Sequence, residues 1–163
     1  MSSEDLQETN IEFMAFHYQM MLSEIWVGSV YEITRLRKER GLVLEDGPEH
    51  AVARQLHVLR MPIDKHEIAN GPGLKQPLQM QRNPPNGDAS DLYTYDRKDP
   101  QRGHIMPTGL SSRGSIMWHA IDGATLAAVW LERRAISDAL LDVWAPALVG
   151  SEAAAPSPSE ERA

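Results

Sequence analysis

Arg60 and His66, an arginine and a histidine six positions apart, form the pair of residues with the clearest chemical meaning in this 163-residue chain. A histidine titrates near neutral pH and can move a proton on or off a ribose hydroxyl. An arginine can hold a phosphate and neutralise the charge that grows on it in the transition state. We therefore predict Arg60 and His66 as catalytic residues for phosphodiester cleavage. The alternative is an ordinary charged surface on which Asp64, Lys65 and Glu67 form local ion pairs.

A second segment, residues 93–104, interleaves aromatic and cationic side chains. Aromatic rings can stack on bases, and cations can bind phosphates. We predict that this segment binds an RNA substrate through four residues, which are Arg97, Lys98, Arg102 and His104. The alternative is a polar turn whose tyrosines pack at the edge of a small sheet.

The histidines do not predict a metal site. His50 and His57 lie two helical turns apart, about 10 Å along a helix axis, which is too far to share one ion. The sequence contains no H-x-x-x-H or H-E-x-x-H spacing. It also lacks a glycine-rich phosphate loop, a nucleophile elbow and a dinucleotide fingerprint. We expect neither a metal nor a cofactor.

Composition and charge narrow the classes of function further. A chain without cysteine has no disulfides, thiolate metal centres or cysteine nucleophile. The net charge of −7 argues against nucleic-acid binding over the whole surface, but residues 60–119 contain eight Lys or Arg against six acids. The N-terminus lacks the features of a secretory signal, and no apolar run approaches the ~20 residues that cross a bilayer. We expect a cytoplasmic location and no membrane partner.

The first predicted element is a long helix. The T-x-x-E pattern of Thr9 to Glu12 matches a capping box, which marks a helix start. Apolar side chains then recur at three- and four-residue spacing as far as Ile33, and Gly41 supplies the left-handed stop that a helix end prefers. Gly28 is the expected place for a bend or a close helix crossing.

Two further helices follow from similar signals. A second helix is predicted after Asp46-Gly47-Pro48, with a kink at Pro62 before residues 63–69 continue in helical form. A last helix is predicted to start at Asp122, a suitable N-cap, and to end at Pro146.

Residues 71–114 hold six of the eleven prolines and six of the eleven glycines, a density that excludes a long helix. Within and after this segment, three runs could be short strands: 78–81, 92–95 and 115–121. Pro84-Pro85-Asn86-Gly87 is a plausible turn between the first two.

Together these elements predict a mainly α fold, a helical bundle of three to five helices with a loop-rich insertion at about 71–121. The insertion is either an ordered loop or a small antiparallel sheet. We expect a flexible N-terminus at residues 1–9, a single helical domain over 10–149, and a disordered tail at 150–163, whose composition cannot bury enough surface to order itself.

With its Arg-x5-His motif, the chain resembles the HEPN superfamily, small helical domains found in toxins and defence systems. The resemblance covers roughly residues 10–70 and the last helix. It implies a metal-independent ribonuclease or RNA-binding protein, in which Arg60 and His66 would act from two subunits across a dimer cleft.

The remaining expectations concern partners. The wide apolar stripe around Met20 and Trp26, together with Trp130, predicts a homodimer through helix packing. A rival hypothesis is a non-catalytic assembly module that binds a protein partner through residues 71–114. A third is a small-molecule binding domain that uses the tryptophan-rich core.

Overall fold

The computed structural model describes residues 3–82 and 91–152, with side chains described for residues 13–81 and 91–145. In these residues, three α-helices, a short 3-10 turn and five strands follow in the order α1 (Ser3–Glu39), α2 (Pro48–Lys65), the 3-10 turn (Gly71–Gly73), β1 (Leu78–Arg82), β2 (Asp91–Tyr95), β3 (Thr108–Leu110), β4 (Ile116–Asp122), β5 (Ala127–Glu132) and α3 (Arg133–Glu152). The predicted turn at 84–87 and most of the predicted tail lie outside the described residues.

The fold is mixed α/β, and the prediction of a mainly α helical bundle is wrong. Within the described residues, two antiparallel sheets accompany the three helices. Residues 71–121 are therefore not an insertion into a bundle. They hold strands from both sheets, and one of these sheets forms part of the core.

The largest error concerns the predicted last helix. Residues 127–132 form β5, whose Trp130 pairs with His119 of β4, and α3 begins only at Arg133. The apolar spacing of Leu126, Val129 and Trp130 fits a helix, but pairing with β4 satisfies the same backbone groups in a sheet. The helix also continues past Pro146, where an end was predicted.

The three-stranded sheet has the order β3-β4-β5, so β4 is hydrogen-bonded on both sides. Ile116, Trp118 and Ala120 alternate along β4 and are fully buried. This period of two points one face of the strand into the core, where it meets α2. The strand predicted at 115–121 is confirmed.

The second sheet is the two-stranded pair β1-β2, in the register Leu78↔Tyr95. Both runs were named as possible strands, with an ordered loop as the alternative, and both form strands. Tyr95 is buried and its hydroxyl accepts a hydrogen bond from the Ile68 backbone N–H at 3.1 Å. This contact fixes the end of β2 to the segment that follows α2.

α1 and α2 differ from the prediction at their ends. α1 begins at Ser3, so the T-x-x-E pattern at Thr9 lies inside the helix and does not start it. α2 contains Pro62 and ends at Lys65, so the predicted helical form of residues 63–69 is wrong beyond that point. His66 caps α2 in the left-handed conformation (φ 53°), and its N–H donates to the Pro62 carbonyl at 3.1 Å.

The core lies between α1, α2, α3 and the three-stranded sheet. α1 contributes one face, with Ser23, Val27, Val30 and Thr34 buried at three- and four-residue spacing. The α1–α2 pair is further held by Arg37, which donates from Nε and Nη2 to the buried Glu49 carboxylate at 2.6 and 3.1 Å. None of the described helices combines the length and the apolar character that crossing a bilayer requires.

Candidate functional site

The predicted catalytic Arg60 lies on α2 and faces α1. Its guanidinium stacks over the Tyr31 ring at 4.8 Å and pairs with two carboxylates, those of Glu32 at 3.4 Å and Asp64 at 3.1 Å. The arginine charge is therefore balanced inside the protein. An incoming phosphate would have to compete with both carboxylates for the guanidinium.

The predicted catalytic His66 is exposed at the end of α2, and no hydrogen bond joins its ring to Arg60. Among the described residues its electrostatic partner is Glu24 on α1. Burial raises the pKa of the Glu24 carboxyl, and the nearby His66 partly offsets this effect. Arg60 is therefore paired with α1 residues, and His66 acts on α1 only through the charge of its ring near Glu24.

Two of the predicted RNA-binding residues, Arg97 and Lys98, are exposed after β2. With Lys75 and Asp96 they line an open cavity of about 460 Å³. The Lys98 backbone N–H donates to the Asp96 carboxylate at 2.9 Å, which forms an Asx turn. Arg97 also lines a second cavity, of about 300 Å³, together with Arg102 and with His57 and Met61 of α2.

The other two predicted RNA-binding residues are held by the protein. Arg102 pairs with Glu67. His104 is only 2% exposed, and its Nδ1 lies 3.2 Å from the Tyr93 hydroxyl. Burial, with a contribution from His119, lowers the pKa of His104, so the ring is neutral at physiological pH.

A different group of residues surrounds a pocket of about 290 Å³ between α1 and α2, here called the α1–α2 pocket. Both helices contribute side chains at helical spacing, and two residues from later in the chain close one end. The lining comprises Tyr31, Thr34, Arg35, Lys38, His50, Ala53, Arg54, His57, Val58, Asn70 and Asp122. One face of each helix thus forms one wall of the pocket.

A chain of hydrogen bonds runs through His57, Asn70 and Asp122 at the closed end. The Asn70 Nδ2 donates to Asp122 Oδ1 at 2.8 Å, and Asn70 Oδ1 lies 3.2 Å from His57 Nε2. An ionised carboxylate only accepts, so the amide must turn its NH₂ toward Asp122 and its oxygen toward His57. His57 Nε2 therefore carries the proton. In the neutral ring this leaves Nδ1 as a free acceptor, with no hydrogen-bond partner among the described residues.

Backbone geometry places Asn70 for this role. Asn70 adopts the left-handed conformation (φ 54°), which asparagine tolerates better than most residues. The neighbouring Ala69 carbonyl accepts from the Gly123 N–H at 2.9 Å. A Cβ on Gly123 would lie 2.8 Å from the Ala69 oxygen, so only glycine permits this approach. The turn after β4 is thereby held against the segment that contains Asn70.

The electrostatics of the closed end keep Asp122 ionised. Burial alone would raise the pKa of Asp122, but hydrogen bonds from Asn70 and from the Ala124 N–H, with the charge of Arg54 and that of His57 whenever its ring is protonated, hold it below its usual value. The carboxylate therefore stays an acceptor at neutral pH, and the assignment of the His57 tautomer depends on this.

The opposite end of the pocket is cationic. The His50 Nδ1 accepts from the Asp46 backbone N–H at 3.2 Å, so its Nε2 carries the proton. Arg35 is paired with Glu32 and Glu39, whereas neither Lys38 nor Arg54 forms an ion pair with a carboxylate of the described residues. Two cations without an ion pair and an N–H donor thus line the pocket, Lys38 from α1 and Arg54 and His50 from α2.

The sequence reasoning considered His50 and His57 only as metal ligands. A usable signal was present, because His50, Arg54 and His57 recur at four- and three-residue spacing and must share one helix face. Asn70 and Asp122 gave no such signal. They lie 52 residues apart, and only the packing of the turn after β4 brings them together.

Comparison with known proteins does not assign the chain to a family. It matches no protein-family model, no curated protein and no solved structure. The chemistry of the site is therefore the basis for interpreting it.

Proposed function

We propose that the α1–α2 pocket binds a small organic phosphate that also carries a hydroxyl or amino group. The observation behind this proposal is the fixed tautomer of His57, whose unprotonated Nδ1 is available in a pocket that also holds Lys38 and Arg54. An acceptor at one end and cations at the other suit a ligand with a donor and an anion.

The cationic end favours phosphate. Lys38 and Arg54 come from different helices, and arginine and lysine are the usual phosphate-binding side chains. His50 adds an N–H donor and lies in the first turn of α2, where the helix dipole favours an anion.

The closed end favours a hydrogen-bond donor on the ligand. His57 lies about 10 Å along α2 from His50, since seven residues separate them. A hydroxyl or amino group there can donate to His57 Nδ1, and an amino group gains further from the charge of Asp122. The volume of about 290 Å³ lies at the lower end for small-molecule sites and fits a sugar phosphate better than a dinucleotide.

The test is calorimetric titration of the purified protein with inorganic phosphate and with glucosamine 6-phosphate. We expect both to bind, and glucosamine 6-phosphate to bind more tightly because it also reaches His57. Lys38→Gln and Arg54→Gln should each weaken binding about tenfold or more, since a hydrogen bond to a charged group is worth about 1.5–3 kcal/mol.

The matched control is Lys65→Gln, which removes an exposed cation from the end of α2, outside the pocket. It should leave both affinities unchanged. Equal weakening by Lys65→Gln would mean that net charge, and not the pocket, attracts the anion. If neither inorganic phosphate nor glucosamine 6-phosphate shows saturable binding, the proposal is wrong.

Ribonuclease activity remains a second proposal, and an RNA partner and a cytoplasmic location belong to it. The exposed ring of His66 favours it, because this ring is accessible to a polyanion. A cleavage assay with purified His66→Ala and His57→Ala separates the two sites. Loss of cleavage only in His66→Ala would support the Arg60–His66 motif, whereas loss only in His57→Ala would assign cleavage to the pocket.

A further inference from the structure

His104 is a histidine that the fold shields from water while one of its ring nitrogens lacks a partner. The residue is only 2% exposed. Its Nδ1 lies 3.2 Å from the Tyr93 hydroxyl, whereas its Nε2 is buried and has no hydrogen-bond partner among the described residues. His104 does not line the α1–α2 pocket, so the small-molecule binding proposed above makes no use of this ring.

Only the neutral form of the His104 ring suits this position. The neutral ring can donate from Nδ1 to the Tyr93 oxygen and keep Nε2 as an unprotonated acceptor. Protonation would make both ring nitrogens N–H donors, and Nε2–H would then carry charge without an acceptor. An unpaired charge in a buried position is strongly destabilising.

Two strands present side chains to the ring, and neither stabilises a charge on it. β2 presents the Tyr93 hydroxyl and the edge of the Tyr95 ring, with 6.5 Å between ring centroids. β4 presents His119, a second histidine, whose positive charge opposes a positive charge on His104. Burial, with this smaller contribution from His119, lowers the pKa of His104.

The end of α2 likewise supplies no free carboxylate to the ring. Glu67, the acid that follows α2, is paired with Arg102. His66 contributes its backbone carbonyl, which accepts from the His104 backbone N–H at 2.7 Å. The described residues around the ring therefore include no free carboxylate that could balance its charge.

His104 also connects the two-stranded sheet to the rest of the protein. The helices and the three-stranded sheet pack against one another, whereas β1 and β2 pack mainly against each other. The ring of His104 contacts Tyr93 and Tyr95 of β2, and its backbone is bonded to the end of α2. Displacement of the ring would therefore remove contacts that hold this sheet in place.

We propose that protonation of His104 at mildly acidic pH opens the contact between the two-stranded sheet and the rest of the protein. The charged ring leaves its buried position for water, and its contacts with Tyr93 and Tyr95 are lost. The three-stranded sheet stays folded, because its buried face packs against the helices. The two-stranded sheet thus opens in acid before the whole chain unfolds.

The direction of the pH dependence follows from the protons that each state binds. A histidine in water takes up a proton near its ordinary pKa of about 6.5, whereas burial holds the pKa of His104 below this value in the closed state. Between the two values the open state binds more protons, so a fall in pH favours opening. One proton changes the equilibrium constant for opening by up to about tenfold per pH unit in this range.

Hydrogen exchange of the full wild-type chain gives the first test. Protection of backbone amides is measured at about pH 7.5 and about pH 5.5, on the two sides of the ordinary histidine pKa, and corrected for the intrinsic rate of exchange. We expect β1 and β2 to lose about tenfold more protection than β4 and β5. Equal losses in both sheets, no loss at all, or free exchange of β1 and β2 at both pH values would each overturn the proposal.

His104→Asn removes the titrating group. The asparagine amide can donate to the Tyr93 oxygen from about the position of Nδ1. We expect the protection of β1 and β2 in this variant to be independent of pH. His17→Asn is the matched control, because His17 is an exposed histidine on α1, and it should keep the wild-type pH dependence. A wild-type pH dependence in His104→Asn would assign the opening to another group and contradict the proposal.

An NMR titration of the His104 ring in the wild-type chain needs no substitution, so it does not depend on the folding of a variant. We expect this ring to protonate at a lower pH than the exposed His17 ring, and the β2 amide resonances to shift with the same midpoint. If the His104 ring protonates while the β2 resonances stay unchanged, protonation does not open the sheet and the proposal is wrong.

Discussion

At the scale of single residues, Asn70 organises the pocket through both its side chain and its backbone. Its amide connects His57 to Asp122, and its left-handed conformation brings the amide between them. The direction of both hydrogen bonds follows from one fact, that Asp122 can only accept. A single carboxylate therefore determines which nitrogen of His57 faces a ligand.

Replacement of Asn70 separates these two roles. Asn70→Gly removes the amide but keeps the backbone conformation, and we expect it to lower the free energy of unfolding by about 1–2 kcal/mol. Asn70→Ala should cost about 1 kcal/mol more, because alanine is strained at this φ. Urea denaturation measures both. Equal stabilities would show that backbone strain at this position is negligible.

The lowered pKa of Asp122 predicts a pH dependence of stability. A carboxyl with a depressed folded-state pKa stabilises the protein above its ordinary pKa, and this contribution disappears as the pH falls through the folded-state value. We expect Asp122→Asn to be less stable than wild type at neutral pH by about 1 kcal/mol, discounted for partial exposure. The difference in the free energy of unfolding between the two proteins should disappear at acidic pH. A gap that is constant with pH would contradict the role of the charge.

At the scale of elements, the pocket depends on the contact between the 3-10 turn after α2 and the turn after β4. Both sides of this contact require glycine. A Cβ on Gly73 would lie 2.7 Å from the Ala124 Cα, and one on Gly123 would lie 2.8 Å from the Ala69 oxygen. Because the obstructing atoms are backbone, neither turn can yield by rotating a side chain.

We expect Gly73→Ala and Gly123→Ala each to lower the free energy of unfolding by about 1–3 kcal/mol through overpacking. Gly103→Ala is the matched control, because its Cβ would meet nothing within 4 Å. Gly123→Ala should also shift the His57 ring resonances, since it displaces Asn70. Wild-type stability in both variants would show that the contact is not tight in solution.

At the scale of the whole molecule, the α1–α2 pocket depends on residues that are distant in the chain. Tyr31 and Lys38 come from α1, His57 comes from α2, and Asp122 comes from the end of β4. The pocket therefore forms only when both helices and the three-stranded sheet are packed together.

The sequence determined the elements whose signals are local. Gly41 ended α1 as expected, at φ 69°, and the runs at 78–81, 92–95 and 115–121 were identified as strands because turn residues bound them. The absence of cysteine and the length of each apolar run were likewise fixed without any structure.

Only the tertiary structure decided that residues 127–132 form a strand, because the choice depended on the free edge that β4 offers. The tertiary structure also decided that His57, among the histidines, joins the hydrogen-bond chain of Asn70 and Asp122. Arg60 and His66 matched a pattern, but whether a charge is available depends on its neighbours, and Glu32 and Asp64 already occupy Arg60. The hydrogen-bond partners of His57 come from residues that are distant in the chain. The spacing of residues along the sequence does not predict such contacts.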